Sequence, residues 1–227
     1  TTHMKTIIEV KNLTKSFTDG LNVTQVLKGL DFEVHEGEFV AIMGRSGAGK
    51  STFLYQMSLL DNPTSGSIKL NSHITDHMTS SEKTHYRLME LGYVFQDYSL
   101  LPELTALENI MVPLLMQGIT IDVAKKRAME ALTSVNLSER SGNLPSELSG
   151  GEQQRVSIAR AITHKPKILF ADEPTANLDS ISSRLVMDIF KKLNKEDKLT
   201  IVMVTHEEEY GRLADRIVRL SDGLIVK

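Results

Sequence analysis

Three short runs of apolar residues stand out along the chain, and each precedes a segment with helical spacing. These helical segments begin near Lys50, Ile181 and Glu207. Continuous apolar runs predict strands that are buried on both faces, and their alternation with helices predicts a parallel α/β sheet. The three runs are EFVAIMG (38–44), KILFAD (167–172) and LTIVMVTH (199–206).

The remaining segments follow two other patterns. Apolar and polar residues alternate near the N-terminus without intervening helices, which predicts antiparallel strands at TIIEVKNL (6–13), GLDFEVHEG (29–37) and GSIKLN (66–71). Between about Ser80 and Ser149, several segments have helical spacing with polar faces. This pattern predicts a helical insertion, entered after GYVFQ (92–96) and left at NLPSELSGG (143–151). Asp222-Gly223 near the end has the composition of a tight hairpin turn.

Composition narrows the class of protein. Hydrophobic residues make up 41% and charged residues 24% of the 227 residues, which is typical of a globular protein. The net charge of −3 is not typical of nucleic-acid-binding proteins, which usually carry a basic surface. The absence of cysteine excludes disulfides and thiol chemistry. No apolar run is long enough to span a membrane, so we expect any membrane role to act through a partner. We expect residues 1–3, before Met4, to be a cloning remnant.

A glycine-rich loop after the first apolar run predicts a phosphate-binding site. GRSGAGKS (44–51) fits G-x-x-x-x-G-K-[ST] between a predicted strand and a predicted helix. Lys50 would supply charge to the β- and γ-phosphates of ATP, and the Ser51 hydroxyl would bind Mg²⁺. Glycine at three positions would let the backbone wrap the phosphate oxygens. The predicted nucleotide-binding residues of this loop are Gly44, Arg45, Ser46, Gly47, Ala48, Gly49, Lys50, Ser51 and Thr52.

ILFADE predicts the acidic half of the same site. An apolar strand delivers Asp172 to its C-terminal end, where ligands gather in open α/β sheets. We expect Asp172 to hold Mg²⁺, and the adjacent Glu173 to orient and deprotonate the attacking water.

LSGGEQQR (148–155) predicts a second helix start that favours anions, although it carries no lysine. Together with the phosphate loop, Phe95-Gln96, ILFADE, NLD (177–179) and Thr205-His206, it occurs in the order and spacing of ATP-binding cassette (ABC) ATPases. The chain resembles this family from about Ile7 onward. The resemblance implies the P-loop NTPase ABC ATPase fold, an α/β fold with a mostly parallel core sheet, an antiparallel β subdomain and a helical subdomain. It further implies one domain over 4–227, with the core at about 4–80 and 150–227 and the helical subdomain at about 81–149.

The resemblance also implies roles for individual residues. Phe17 is similar to the aromatic residue that stacks on adenine, the alternative being an ordinary core phenylalanine. Gln96 resembles the glutamine that contacts Mg²⁺ and the attacking water, and His206 the histidine that hydrogen-bonds the γ-phosphate. Asp179 belongs to a loop that crosses the dimer interface. The residues that would contact the ATP of the opposite subunit are Ser149, Gly150, Gly151 and Glu152.

These roles imply a head-to-tail dimer that ATP holds together, and integral membrane permease subunits as further partners. QDYSLLPELTALENIMVPLL (96–115) resembles the LolD, MacB and FtsE group of lipoprotein-release, macrolide- or peptide-export and cell-division ATPases. In this group the permease carries large extracytoplasmic domains, and the ATPase lies on the cytoplasmic face of the inner or cell membrane. The alternative is a signalling or scaffold module that translocates nothing. Four leucines around Pro102 form either a docking groove for the permease or internal packing: Leu100, Leu101, Leu104 and Leu107.

Overall fold

The computed structural model describes residues 5–226. The expected cloning remnant, residues 1–3, lies outside the described residues. Within 5–226, no helix combines the length and the apolar character that a membrane crossing requires.

A six-stranded sheet forms the core, in the order β10-β9-β3-β8-β7-β6. Five neighbouring strands run parallel, and β10 pairs antiparallel with β9. Every residue of β3, β7 and β8 is buried, as the continuous apolar runs predict. The mostly parallel core sheet is thus confirmed. The strands are β3 (Phe39–Met43), β6 (Leu91–Val94), β7 (Ile168–Asp172), β8 (Thr200–Val204), β9 (Arg216–Ser221) and β10 (Leu224–Val226).

A second sheet of four antiparallel strands lies beside the first, in the order β2-β1-β4-β5. Its strands are β1 (Thr6–Asp19), β2 (Asn22–His35), β4 (Ser65–Leu70) and β5 (His73–Ile74). The predicted antiparallel strands are confirmed, but β1 and β2 continue to a hairpin at Gly20-Leu21, well beyond the alternating stretches. Apolar residues of both sheets share one buried cluster with the first helix.

Within residues 5–226, seven α-helices connect and cover the strands. They are α1 (Lys50–Met57), α2 (Ser80–Glu90), α3 (Ala106–Met116), α4 (Ile121–Ser134), α5 (Gly150–Ile162), α6 (Ser180–Lys195) and α7 (Glu208–Gly211). The side chains of Thr79, Thr105 and Ser149 each cap a helix start, with a glutamate three residues later closing a capping box.

The segment from α2 to β6 packs with the core sheet, and the bounds of the helical subdomain stay a prediction. Strand β6 hydrogen-bonds to β7 in the core sheet, and Tyr86 of α2 packs in the cluster shared by the two sheets. A separate apolar cluster instead joins α3 and α4 to the buried face of α5. The segment 80–94 therefore packs with the core. That the whole chain forms one domain stays a prediction.

Two of the four leucines around Pro102 pack internally, and the docking groove stays a prediction. Leu100 and Leu107 pack against the cluster formed by α3, α4 and α5. Leu101 is 44% exposed. Buried Asn109 orders this segment, because its side-chain amide accepts from the Leu101 backbone N–H and donates to the Leu101 carbonyl.

Candidate functional site

The phosphate loop connects the end of β3 to the start of α1. Gly47 and Gly49 have φ values of +79° and +97°, which side chains other than glycine rarely adopt. Gly49 directly precedes α1. The first backbone N–H groups of α1, which have no partner within the helix, therefore lie next to the loop. The Lys50 side chain is buried, and its ammonium donates to the Arg45 carbonyl at 3.1 Å.

Gly44 is glycine for a different reason from the one we expected. A Cβ at this position would collide with the backbone carbonyl oxygen of Leu220 in β9. Close approach of two backbones therefore excludes larger residues at Gly44, whereas our prediction assigned this to room for phosphate.

Ser51 and Asp172 meet where the start of α1 faces the end of β7. The Ser51 hydroxyl donates to Oδ1 of Asp172 at 2.9 Å. Burial raises the pKa of Asp172, while the hydrogen bond from Ser51 lowers it. A buried carboxylate beside a hydroxyl offers the hard oxygen ligands that Mg²⁺ prefers. Gln96 lines the same cavity as Ser51, so these three residues fit the predicted metal site.

Glu173 follows β7 and lies between two basic side chains. His206 Nδ1 is 2.6 Å from Glu173 Oε2, and Lys50 Nζ is 3.8 Å from Oε1. The backbone N–H of Glu173 donates to the Val204 carbonyl at 2.9 Å, which fixes the residue to β8. Glu173 has φ +44°, a left-handed conformation that costs about 1–3 kcal/mol outside glycine. The surrounding contacts therefore hold the backbone of Glu173 in a strained conformation.

Several of these groups line a cavity of about 520 Å³, and Asp172 and His206 contact it through Ser51 and Glu173. Besides Val26, its lining comprises Ser46, Gly47, Gly49, Lys50, Ser51, Thr52, Gln96 and Glu173. The structure thus brings together the predicted phosphate-binding, metal-binding and catalytic groups. Of the other predicted loop residues, Arg45 is exposed and Ala48 is buried; neither lines the cavity.

The predicted signature residues lie outside this cavity, at the start of α5. The exposed Ser149 hydroxyl accepts from the Glu152 backbone N–H, and Glu152 Oε2 accepts from the Ser149 backbone N–H at 2.8 Å. That backbone hydrogen bond holds the pKa of Glu152 below its usual value. Arg140 also contacts Glu152 at 3.1 Å. A nucleotide contact by Ser149, Gly150, Gly151 or Glu152 stays a prediction.

Two further predicted residues lie apart from the cavity lining. Phe17 in β1 is 48% exposed, which excludes the core alternative, and the Lys15 ammonium lies 5.0 Å from its ring centroid. Asp179 caps α6 by accepting from the backbone N–H groups of Ile181 and Ser182 at 2.9 Å. The hydrogen bonds from Ser182 lower the pKa of Asp179. The adenine-stacking and interface roles of these residues stay predictions.

Several side chains for which we predicted no role form hydrogen bonds that fix the loop after Glu173. Thr175 donates to Glu207 at 2.7 Å, Asn177 donates to the Gln96 carbonyl at 3.2 Å, and Gln154 donates to the Pro174 carbonyl at 2.8 Å. Gln154 belongs to LSGGEQQR and Asn177 to NLD, so their positions in those motifs were the available signals. The bond from Thr175 to Glu207 joins segments far apart in sequence and carries no local pattern.

Relatives with this arrangement of elements are known. The family model described as ABC transporter matches residues 27–176. The lipoprotein-releasing system ATP-binding protein LolD of Aquifex aeolicus is 49% identical over 202 residues, which cover 89% of this chain and 90% of that protein. The macrolide export ATP-binding/permease protein MacB of Syntrophobacter fumaroxidans is 42% identical, over 96% of this chain but 31% of its own length.

A solved structure shares the fold over nearly its whole length. The ATP-binding cassette MJ0796, as a dimer in a post-hydrolysis state bound to ADP and Pi, is 40% identical. The two structures superpose with a TM-score of 0.92 over 97% of each chain. MJ0796 of Methanocaldococcus jannaschii is itself named an ABC transporter ATP-binding protein. The present chain therefore belongs to the ABC transporter family and is an ABC-type ATPase.

Proposed function

We propose that this chain is the ATP-hydrolysing subunit of an ABC transporter or mechanotransmission complex of the lipoprotein-release or macrolide- and peptide-export type. Two copies bind two ATP molecules head to tail and drive an integral membrane partner with large extracytoplasmic domains. The chain then lies on the cytoplasmic face of the membrane through that partner. One observation carries the proposal: Lys50, Ser51 and Glu173 line one cavity, whereas the exposed Ser149, which caps α5, lies outside it.

The residues around the cavity suit the hydrolysis of ATP. Phosphoryl transfer needs mainly positioning and charge stabilisation, which the phosphate loop and Lys50 supply to the phosphates. Ser51, Gln96 and Asp172 would hold Mg²⁺, which neutralises phosphate charge when it is bound. Glu173 accepts a proton as the water oxygen attacks the γ-phosphorus. The bond from that phosphorus to the ADP oxygen breaks, which releases ADP and phosphate.

The start of α5 supports a two-copy site. Its first backbone N–H groups and the Ser149 hydroxyl favour an anion, but the helix start carries no lysine. A second copy that presents its own phosphate loop and Lys50 would complete this half-site with nucleotide. The dimer of the MJ0796 cassette, which holds ADP and Pi, supports this arrangement.

The relatives support a membrane partner. MacB, as an ATP-binding/permease protein, matches this chain over 31% of its own length. By analogy, a permease would act together with the present chain. Leu101 is the most exposed of the four leucines around Pro102, so we place the docking contact there.

The test is reconstitution of the purified chain with a co-expressed membrane protein that has a large extracytoplasmic domain. ATP hydrolysis coupled to release or transport of cargo from proteoliposomes is the expected result. A stable complex that hydrolyses ATP without moving cargo would instead favour the signalling or scaffold alternative. The absence of hydrolysis in both the isolated and the reconstituted chain would contradict the catalytic proposal itself.

A further inference from the structure

The loop that follows Glu173 is tied to several parts of the molecule. The backbone N–H of Glu173 donates a hydrogen bond to the carbonyl at the end of β8. The Thr175 hydroxyl donates to Glu207, and the Asn177 side-chain amide donates to the Gln96 carbonyl. These contacts attach the loop to segments that already surround the cavity. A fourth contact differs, because it comes from α5, whose capping residue Ser149 is exposed and lies outside the cavity lining.

Gln154 makes this fourth contact. Its side-chain Nε2 donates to the backbone carbonyl of Pro174 at 2.8 Å, and both residues are buried. A carbonyl oxygen only accepts hydrogen bonds, so the amide nitrogen must face it. Pro174 directly follows Glu173, whose backbone has φ +44°. The bond therefore acts one peptide away from the strained residue that carries the catalytic carboxylate.

The start of α5 also packs against the end of the same loop. Gly151 leaves no room for a Cβ, which would meet the side chain of Ser182. Ser182 in turn donates from its hydroxyl to Asp179 at 2.7 Å. Closely packed groups transmit displacement instead of absorbing it. A shift of the α5 start would therefore move the loop at both of its ends.

We propose that Gln154 is a positioning residue that couples the signature helix α5 to Glu173 of the same subunit. This rests on the proposed head-to-tail dimer, in which the α5 start engages the nucleotide held by the other copy. When the α5 start binds that nucleotide, the position of α5 becomes fixed. The Gln154–Pro174 hydrogen bond then fixes the loop after Glu173, and with it the carboxylate of the subunit's own site. Each subunit thereby hydrolyses its ATP efficiently only when it also holds its partner's ATP.

Mixed dimers in which a single site hydrolyses ATP test this coupling. One subunit carries Glu173→Gln, so turnover arises only from the other subunit, and separate affinity tags isolate the mixed dimer. Gln154→Met is placed either in the hydrolysing subunit or in the Glu173→Gln subunit. Methionine keeps the length and packing of the side chain but cannot donate to Pro174. Gln154→Asn, which is one methylene shorter, replaces it if the methionine variant does not fold.

We expect kcat to fall about 5- to 20-fold when Gln154→Met is in the hydrolysing subunit, with KM for ATP unchanged. The same substitution in the Glu173→Gln subunit should change kcat less than twofold. Gln153→Met is the matched control, because Gln153 is the adjacent glutamine and donates to the Leu148 carbonyl at 3.2 Å instead. It should leave turnover unchanged in either subunit.

Equal effects in the two placements would overturn the proposal, as would an effect confined to the Glu173→Gln subunit. The latter result would assign Gln154 to the binding of the partner's nucleotide. An unchanged kcat in both placements would also overturn it. If the unsubstituted chain itself neither dimerises with ATP nor hydrolyses it, the proposed function fails, and this is observed before any Gln154 variant is made.

Discussion

Nδ1 of His206 lies 2.6 Å from Oε2 of Glu173. Glu173 follows β7 and His206 follows the neighbouring strand β8, so this hydrogen bond connects the ends of the two strands. Glu173 is the more buried partner, with 17% of its side chain exposed against 56% for His206. The histidine therefore lies on the open side of the carboxylate, where it can fix the orientation of Glu173 and also reach an incoming ligand.

Glu173→Gln should slow ATP hydrolysis roughly 10²- to 10⁴-fold, because an amide cannot accept the proton of the attacking water. The glutamine keeps the size of the side chain, so ATP binding should persist. The substituted chain should accumulate as an ATP-dependent dimer, measured by light scattering, while phosphate release measures turnover. Full activity of this variant would remove Glu173 from the catalytic role.

His206→Ala should lower kcat about 10- to 100-fold, a smaller loss than that from removing the base itself. The physical reason is that Glu173 keeps its carboxylate but loses the partner that orients it. Steady-state phosphate release measures kcat, and equilibrium titration with a fluorescent ATP analogue measures binding. His77→Ala is the control, because His77 is also an exposed histidine but His206 is the one that bonds to Glu173. A loss that appears only in nucleotide affinity would assign His206 to binding alone.

Ser149→Arg should leave binding of ATP to the monomer nearly intact while abolishing dimer formation and turnover. The exposed Ser149 lies outside the cavity, so a large side chain there would obstruct only a second copy. Sizing chromatography with and without ATP measures dimer formation.

Ser149→Ala separates this obstruction from loss of the helix cap. It removes the cap of α5 at a cost of about 1 kcal/mol in stability, without adding bulk. We expect the alanine variant to retain at least part of its ATP-dependent dimer. Weakened ATP binding by the Ser149→Arg monomer would contradict the division of the site between two copies.

The parts of the fold that were predictable are those with strong local patterns. The continuous apolar runs identify β3, β7 and β8, because strands buried on both faces need apolar residues at every position. The phosphate loop follows from glycines whose backbone conformation other residues rarely adopt. Strand β6 overlaps GYVFQ, after which we expected the insertion to begin, but four residues directly after α2 carry too little periodicity to identify a strand.

The tertiary contacts of the site were not predictable from local pattern. The bond from Gln154 to Pro174 spans 20 positions, and that from Thr175 to Glu207 spans 32. Residue type alone does not distinguish a buried, bonded glutamine from the neighbouring, half-buried one. The close contact at Gly44 was not predictable for the same reason, because the backbone that excludes a Cβ there belongs to β9, which is far away in the sequence.

Gly44→Ala should destabilise the fold by about 1–3 kcal/mol, the usual cost of overpacking against atoms that cannot move freely. The added Cβ would meet the Leu220 carbonyl, which is backbone in the core sheet. Gly142→Ala is the matched control, because an added Cβ there meets nothing within 4 Å. Thermal unfolding without nucleotide should show a Tm several degrees lower for Gly44→Ala only. Equal Tm values would show that the β9 backbone yields to the new methyl group.

Phe17→Ala should weaken ATP binding about 5- to 150-fold, which corresponds to the 1–3 kcal/mol of stacking one base on an aromatic ring. Because the ring is 48% exposed, its loss should change the free energy of unfolding little. Phe17→Tyr keeps the ring and should bind ATP within about threefold of the unsubstituted chain.

Inorganic triphosphate provides the control ligand for Phe17, since it carries the phosphates of ATP without a base to stack. Its affinity, measured by competition against a fluorescent nucleotide, should be the same for Phe17→Ala and the unsubstituted chain. A parallel loss of affinity for triphosphate and ATP would mean that Phe17 supports the phosphate loop through β1. Loss of ATP affinity alone would place adenine on the exposed ring, beside the Lys15 ammonium that lies 5.0 Å from its centroid.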